Sequence, residues 1–289
     1  MALSPEWVRR YLERLAISER EPPTAAFLTR LHQAHVERIP WQTVDVFRGH
    51  PEPIDAARAV ALVASGRGGY CFHVNTAFLM LLKELGYTAH AHWAGVVRRG
   101  AAGAAPPNGQ HMALTVQLTG GRWIVDVGLG DMPHAPIPLT WGRWPQGELT
   151  YEVRPALAAP GGWRLQQDPR ASYAGVEVDP RSLPDLRAFA GPHRYLSQDP
   201  ASPWVNRLVL KKRDGRGVTS LRGLVLSQLP AEGAVSRTVD NRPEWFDVLG
   251  DVFGEPLAHV GDRGRRALWS RVLSAHDHWM RGGRDVESR

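Results

Sequence analysis

The sequence predicts an α+β fold, in which a helical region comes first and a mainly β region follows it. Between residues 1 and 86, apolar residues recur three and four positions apart, as on the buried face of a helix. From Thr88 onward, this pattern gives way to the short apolar runs that are typical of strands. A chain of 289 residues is long enough for two or three subdomains.

The predicted helices begin and end at residues that commonly cap helices. Ser4, Thr24 and Asp55 stand where three N-terminal helices begin. A fourth helix is predicted to begin at Cys71, and Gly86 follows its last apolar residue as a C-terminal cap. The residues up to Gly86 are therefore predicted to form one helical unit.

The β region is predicted to form a small barrel or curled sheet. The predicted strands lie at residues 88–97, 112–118 and 122–127, with shorter runs at 151–153, 163–165 and 174–178. A loop rich in Gly, Ala and Pro is predicted at 100–109. In the last third, apolar runs at 208–210 and 223–226 flank Asp214-Gly215 and predict a hairpin, and helices are predicted at 245–253 and 265–280.

The composition is that of a soluble globular protein, with 43% hydrophobic and 22% charged residues. The single cysteine excludes an intramolecular disulfide framework and a Cys-rich zinc site, and it is typical of a reducing compartment. The first residues do not resemble a signal peptide, and no apolar run is long enough to span a membrane. We therefore expect a cytoplasmic protein without a membrane partner or a metal.

The net charge of +6 predicts a basic surface. Such a surface is either simply solvated or attracts a polyanionic small molecule, for example a nucleotide-bearing cofactor. The basic residues are dispersed and form no known nucleic-acid-binding motif, so nucleic acid is not expected as a partner. Lys211, Lys212 and Arg213 are expected to be solvated at a hairpin tip, with contact to the phosphates of such a cofactor as the alternative.

The only cysteine lies in the segment from Arg67 to Asn75, directly after Gly68 and Gly69 and directly before a helical pattern. A tight turn of this kind places the sulfur at a helix N-terminus, where the helix dipole and unpaired N–H groups stabilise a thiolate. A lone cysteine is more often a small buried hydrophobic residue, so this position alone does not establish a nucleophile. It predicts a reactive thiol only together with a suitable base.

His111 and Asp126 are the candidate base and orienting acid, since they lie on two strands joined by a glycine turn. A simple register through that turn places Asp126 opposite Leu114 or Thr115. On flat strands, this leaves the acid roughly 10–13 Å from His111 along the strand. A bulge or a strong twist is then required to bring the two side chains together.

Several segments resemble motifs of the arylamine N-acetyltransferase family, and they occur in the same order over nearly the whole chain. The clearest are Arg67-Gly68-Gly69-Tyr70-Cys71-Phe72, His111-Met112-Ala113-Leu114-Thr115-Val116 and Val125-Asp126-Val127-Gly128-Leu129-Gly130. Weaker likenesses are Tyr11-Leu12-Glu13-Arg14, Ile39-Pro40-Trp41 and the segment from Leu249 to Leu257. The sequence is therefore similar to that of a bacterial-type member of this family.

The resemblance implies a helical domain (1–86), a β-barrel domain (87–190) and an α/β lid (191–289) around a papain-like Cys-His-Asp core. It implies that Cys71, His111 and Asp126 are catalytic. The expected reaction is ping-pong transfer of an acetyl or other short acyl group from acetyl-CoA, through a cysteine thioester. The acceptor is expected to be an aromatic amine, hydrazine or hydroxylamine, and the protein a monomer or homodimer.

Other functions compatible with a thiol triad remain open. The main alternative is an amide synthase, or natural-product N-acyltransferase, of the same fold that takes a bulkier acyl chain, for which an acyl carrier protein is a possible partner. A hydrolase or transglutaminase is less compatible with the motif flanks. A catalytically silent binding protein is conceivable because two acids of the family pattern are replaced.

The departures from the family pattern lie close to the catalytic turn. His73 stands where the family has Glu, and Gln42 and Thr43 replace an acid and an amide. His73 is two positions from the cysteine in a helix, so we expect it to point away from the sulfur and His111 to be the base. Arg67 requires an anionic or carbonyl partner, for which Asp45 is one candidate.

The predicted substrate contacts are apolar residues at positions that line the acyl and amine pocket in the family. They are Trp41, Phe72, Val97, Leu129 and Trp204. Trp41 and Leu129 each replace the family's Phe, which predicts a pocket of changed shape and a shifted acceptor range. Any of these residues is equally compatible with a plain hydrophobic core.

Overall fold

The computed structural model describes residues 3–100, 103–229 and 235–281, and helices make up most of its first 86 residues. These helices are α1 (Pro5–Arg14), α2 (Ala25–Arg38), α3 (Val44–Phe47), α4 (Ala56–Ala64) and α5 (Cys71–Glu84). The predicted caps are confirmed, because the side chains of Ser4, Thr24 and Asp55 accept bonds from backbone N–H groups of the first turns. Gly86 has a φ of +90° after α5, as a C-terminal cap requires.

The middle of the chain forms a nearly closed, barrel-like antiparallel sheet of eight strands in the order β5-β4-β3-β2-β9-β8-β7-β6. The strands are β2 (Thr88–Arg98), β3 (His111–Leu118), β4 (Gly121–Ile124), β5 (Ile137–Pro138), β6 (Gly142–Gln146), β7 (Leu149–Pro155), β8 (Trp163–Gln166) and β9 (Tyr173–Val178). The Gln146 side chain bonds both backbone groups of Ala135, which connects the two edges of the sheet. The predicted barrel or curled sheet is therefore confirmed, whereas the short strands β5 and β6 were not predicted.

The second sheet has five antiparallel strands in the order β1-β10-β11-β12-β13. They are β1 (Trp41–Gln42), β10 (Val209–Arg213), β11 (Val218–Arg222), β12 (Val225–Leu229) and β13 (Val235–Thr238). The hairpin prediction was wrong in its partner, because β10 pairs with β11 and β12 is the next strand along. The sequence did not reveal β11 as a strand, because only Val218 and Leu221 among its five residues are apolar. The part of the predicted loop 100–109 that falls on residues 101 and 102 lies outside the described residues.

The described residues of the last third contain four helices. They are α6 (Ala190–Gln198), α7 (Pro203–Asn206), α8 (Arg242–Asp247) and α9 (Asp262–Arg281), with a 3₁₀ turn at Leu186–Phe189 and a π-helical turn at Val248–Val252. Because β1 comes from the N-terminal region, the helical region and the second sheet share backbone hydrogen bonds. The N-terminus of α5 lies where these elements meet, which places Cys71 at the junction. None of the described helices is both long and apolar enough to cross a membrane.

Candidate active site

Cys71 is the first residue of α5, and its side chain is almost entirely buried, at 3% exposure. The turn before it is tight because neither glycine has room for a side chain. A Cβ on Gly68 would lie 2.2 Å from the Pro40 carbonyl oxygen, and one on Gly69 would lie 2.6 Å from the His73 Cβ. The two glycines are therefore a steric requirement for presenting the sulfur at the helix N-terminus.

His111 and Asp126 form a buried hydrogen bond of 2.5 Å between the imidazole Nε2 and the carboxylate Oδ2. The turn between β3, which begins at His111, and β4, which ends two residues before Asp126, is shorter than expected, because Leu118 already pairs with Gly121. Continuing this register places Asp126 opposite Ala113, so the predicted alignment with Leu114 or Thr115 was wrong. In this register, His111 and Asp126 are diagonal neighbours on one face of the sheet. Such neighbours lie about 7–8 Å apart, so the two side chains reach each other without a bulge.

The segment that carries Asp126 also contacts the cysteine. A Cβ on Gly128 would lie 3.0 Å from the Cys71 Cβ and 2.4 Å from the Asn75 Nδ2. The Cys71 Sγ is 4.0 Å from the backbone oxygen of Gln110, the residue before His111. The structure thus brings all three predicted catalytic residues into one buried cluster, which only the folded chain assembles.

Asn75 organises this cluster, and sequence reasoning missed it. One turn of helix separates it from Cys71, so both face the same side of α5. Its Nδ2 donates to the Asp126 Oδ1 at 2.8 Å and to the Met112 carbonyl at 2.6 Å, and its Oδ1 accepts from the Val127 N–H at 3.0 Å. A polar residue at the fourth position after a helix-starting cysteine, inside an apolar helix, was the available signal.

The surroundings of His111 favour its charged form. Burial disfavours the imidazolium, but the charge and hydrogen bond of Asp126 and the interactions with Cys71 outweigh burial and raise the pKa of His111 to about 10. Since Nε2 is bonded to Asp126, Nδ1 is the nitrogen that remains for the thiol, and no other described group bonds it. This arrangement supports a thiolate–imidazolium pair.

His73 points away from the sulfur, as its position two residues later predicts. Its Nε2 lies 3.0 Å from the Glu52 carbonyl oxygen, and its ring packs edge-on against Tyr70 and His193. Burial lowers the pKa of His73, so the ring is neutral at physiological pH. The side chain therefore fills space behind the cysteine turn.

Arg67 is held by two carboxylates on the far side of the same turn. Its guanidinium lies 2.5 Å from the Asp45 Oδ2 and 2.8 Å from the Glu52 Oε1. The candidate partner Asp45 is thus confirmed, and Glu52 is a second partner that the sequence did not indicate. Asp45 also lies 3.1 Å from Arg48 and 3.5 Å from His259, so the turn is backed by a network of charges.

The predicted pocket residues are all at least partly buried. Trp41 and Trp204 form a T-shaped pair with ring centroids 5.1 Å apart. Leu129 and Val97 are buried in the barrel region. Phe72 packs against Phe189, with centroids 5.2 Å apart, in an aromatic core. Their roles as substrate contacts stay predictions.

A cavity of about 750 Å³ lies between the second sheet, α9 and the loop before β9. None of the predicted site residues lines it. Its walls are apolar at Phe47, Leu208 and Trp279, and carry positive charge at Arg207 and Arg222. A cavity of this volume is sufficient for a drug-sized ligand.

Lys211 lies beside this cavity and not at a hairpin tip, so the expectation of a solvated lysine was wrong. It is buried in β10, and its Nζ donates to the Ser172 Oγ at 2.7 Å and lies 3.3 Å from the Asp131 carboxylate. Burial lowers the pKa of Lys211, although the neighbouring Asp131 carboxylate acts to raise it. Arg213 is buried as well, because the turn begins only at Asp214.

Comparisons with known proteins place these features in context. The model of the N-acetyltransferase family matches residues 24–260. The arylamine N-acetyltransferase of Mycobacterium tuberculosis is 30% identical over 271 residues, which are 91% of this chain and 93% of that protein. Proansamycin X synthase of Amycolatopsis mediterranei is 32% identical over 130 residues, which are 42% of this chain and 47% of that protein.

Solved structures agree with the sequence relatives. The arylamine N-acetyltransferase of Mycobacterium marinum in complex with CoA superposes with a TM-score of 0.82 at 28% identity, covering 93% of this chain and 99% of that one. The enzyme from M. tuberculosis gives the same TM-score of 0.82 at 27% identity, over 92% of this chain and 99% of that one. The similarity extends over the helical region and both sheets.

Proposed function

Because the chain belongs to the arylamine N-acetyltransferase family, and is an acetyltransferase that uses acetyl-CoA, we propose that Cys71, His111 and Asp126 are its catalytic triad. The observation that carries this assignment is the buried 2.5 Å bond between His111 and Asp126, beside a cysteine at a helix start. The arrangement is of the Cys-His-Asp type found in papain-like enzymes, with Asp126 orienting the imidazole.

We propose a two-step reaction through a thioester. The Cys71 thiolate attacks the thioester carbonyl of acetyl-CoA, the C–S bond to CoA breaks, and the departing sulfur takes a proton from the His111 imidazolium. The acetyl group is now on Cys71, and an exchange of one thioester for another is nearly isoenergetic. Backbone N–H groups at the start of α5 are positioned to stabilise the negative oxygen of the intermediate.

In the second step, the acceptor amine attacks the acetyl-cysteine and His111 takes its proton. Acylation removes the negative sulfur, which contributes to the raised pKa of His111. The neutral imidazole is therefore more accessible in the acyl-enzyme than in the free enzyme, when a base is needed. The products are the acetylated amine and the restored thiolate–imidazolium pair.

The donor is proposed to place its nucleotide portion in the 750 Å³ cavity, where Arg207 and Arg222 supply positive charge for phosphates. Residues 191–289 are proposed to act as the lid domain over a barrel domain (87–190) and a helical domain (1–86). The acceptor is proposed to be an aromatic amine, hydrazine or hydroxylamine. Trp41, Phe72, Val97, Leu129 and Trp204 are proposed as its contacts.

The first test is incubation with acetyl-CoA alone, followed by intact mass spectrometry. We expect a gain of one acetyl group on Cys71, and no gain in Cys71→Ala. A wild-type protein that folds but is not acylated by any CoA thioester contradicts the proposed donor.

A second candidate is an amide synthase that takes its acyl chain from a carrier protein. The large cavity and the partial similarity to proansamycin X synthase favour it. Acylation of Cys71 by a carrier-bound chain, without acylation by acetyl-CoA, is the result that would select this function.

A further inference from the structure

Glu255 is a buried acid that bonds directly to the cysteine turn from the far end of the chain. Its side chain is 1% exposed, and its Oε2 accepts the backbone N–H of Gly68 at 2.6 Å, across 187 residues of sequence. The segment that carries it is itself fixed. The Glu255 N–H donates to the Leu249 carbonyl at 2.8 Å, and Arg14 donates to the Gly254 carbonyl at 3.0 Å.

The position of Gly68 leaves little freedom for another arrangement. The residue is pressed against the Pro40 carbonyl, and the Gly69 carbonyl accepts the Gln42 N–H at 3.0 Å. The Gly68 N–H is buried, so without Glu255 it would lose a hydrogen bond that solvent does not replace. The turn from Gly68 to Cys71 is therefore held on one side by β1 and on the other by Glu255.

Charged groups from several elements surround this carboxylate. The pKa of Glu255 is raised to about 7, mainly by burial and also by the nearby Asp45. The hydrogen bond from the Gly68 N–H and the proximity of Arg67 and His259 lower it. Arg14 approaches from α1 with its own positive charge. Lys212 bonds the nearby Val252 carbonyl at 2.8 Å. The group thus changes its charge within the physiological pH range.

We propose that Glu255 is a positioning residue that sets the geometry of the turn presenting Cys71, and that its proton occupancy tunes the reactivity of the sulfur. The ionised carboxylate makes a charge-assisted bond to the Gly68 N–H, roughly twice as strong as a bond to a neutral group. Ionisation therefore fixes the turn more firmly, whereas protonation loosens it. The inference rests on the proposed function only in that Cys71 is taken as the nucleophile.

The test uses alkylation of the thiol by iodoacetamide in the full-length protein, measured between pH 5.5 and 8.5. Cys71 is the only cysteine, so the rate reports on this sulfur alone. Glu255→Gln keeps a carbonyl acceptor for Gly68 without a titrating proton. Glu255→Leu removes the acceptor. Asp251→Asn removes an exposed acid four residues away and serves as the matched control.

We expect the wild-type rate to rise about two- to threefold through an inflection near pH 7, in step with ionisation of Glu255. Glu255→Gln is expected to lose this inflection, and Asp251→Asn to retain it. Glu255→Leu is expected to react about tenfold more slowly throughout, since the buried Gly68 N–H loses its partner.

Two results would overturn the proposal. One is an inflection in Glu255→Gln identical to that of the wild type. The other is a folded Glu255→Leu protein whose thiol reacts at the wild-type rate. If Glu255→Leu does not fold, the pH profile of Glu255→Gln decides alone. Acylation by acetyl-CoA is measured in parallel. A protein that is alkylated but not acylated refutes the proposed donor, whereas the alkylation profiles still test the role of Glu255.

Discussion

Asn75 and Asp126 are joined by a buried hydrogen bond of 2.8 Å, which connects α5, the helix that begins at Cys71, to the carboxylate that bonds His111. The other carboxylate oxygen of Asp126 faces His111. This amide and the Gly128 N–H, which donates to the same oxygen at 2.8 Å, together hold the carboxylate in its direction toward His111.

Replacement of Asn75 by Ala is expected to slow acetylation of Cys71 about 10- to 100-fold, because Asp126 loses a bond and the Met112 carbonyl and Val127 N–H lose their partner. The measurement is the single-turnover rate with acetyl-CoA. Thr76→Val changes the next buried residue of the same helix and serves as a control. If both variants lose the same fraction of the acetylation rate, the loss arises from disturbed packing of the helix and not from the Asn75 hydrogen bonds.

Replacement of His111 by Gln is expected to change the pH profile of Cys71 alkylation. In the wild type, His111 holds its proton up to about pH 10, so its positive charge is present throughout and the alkylation rate is expected to stay nearly constant between pH 8 and 9. Without the imidazolium, the rate should rise steeply with pH, as it does for an ordinary thiol, by about tenfold per unit below pH 8.5. His73→Gln is the control and should retain the flat profile. A flat profile in His111→Gln would assign the base elsewhere.

Glu255 is also expected to make stability depend on pH. Its pKa is about 7 in the folded protein against 4.5 without the fold, so the folded state binds the extra proton between these values. Stability is therefore lost as pH rises from 4.5 to 7, by up to about 3 kcal/mol. Urea unfolding at several pH values should show this loss in the wild type and a smaller one in Glu255→Gln. Parallel curves for the two proteins would contradict the assignment.

The acceptor range is expected to favour amines bulkier than simple anilines, since Leu129 is smaller than the family's Phe. Leu129→Phe should shift the preference toward small anilines, because one large side chain in a pocket changes discrimination by about 10- to 200-fold. The measurement is kcat/KM across a panel of graded amines. Equal or better turnover of simple anilines by the wild type would rule out the shifted range.

Local sequence patterns predicted much of the fold and the chemistry. Caps at Ser4, Thr24 and Asp55 mark helix starts because their side chains satisfy N–H groups within three residues. The two glycines before Cys71 predicted a tight turn, and Gly69 leaves no room for a side chain because His73 lies four residues later in the same turn. These features depend on neighbours in sequence, so the sequence contains the information needed to predict them.

The predictions failed where one residue of register or a distant partner decided the outcome. A turn one residue shorter than assumed brought Asp126 within reach of His111. The strand β11 escaped notice because three of its five side chains are polar or charged. Asn75 and Glu52 look like ordinary helix and loop positions in the local sequence pattern. In the fold, they have hydrogen-bond partners 15 to 52 positions away.

The sequence by itself predicted a reactive thiol at the start of a helix, with a histidine and an aspartate in two adjoining segments as its candidate partners. Only the tertiary structure decided how these groups meet, which acids hold Arg67, and that Glu255 bonds the turn across 187 residues. The physical reason is that backbone propensity acts over a few residues. Burial, which makes each of these hydrogen bonds consequential, arises only when distant segments pack together.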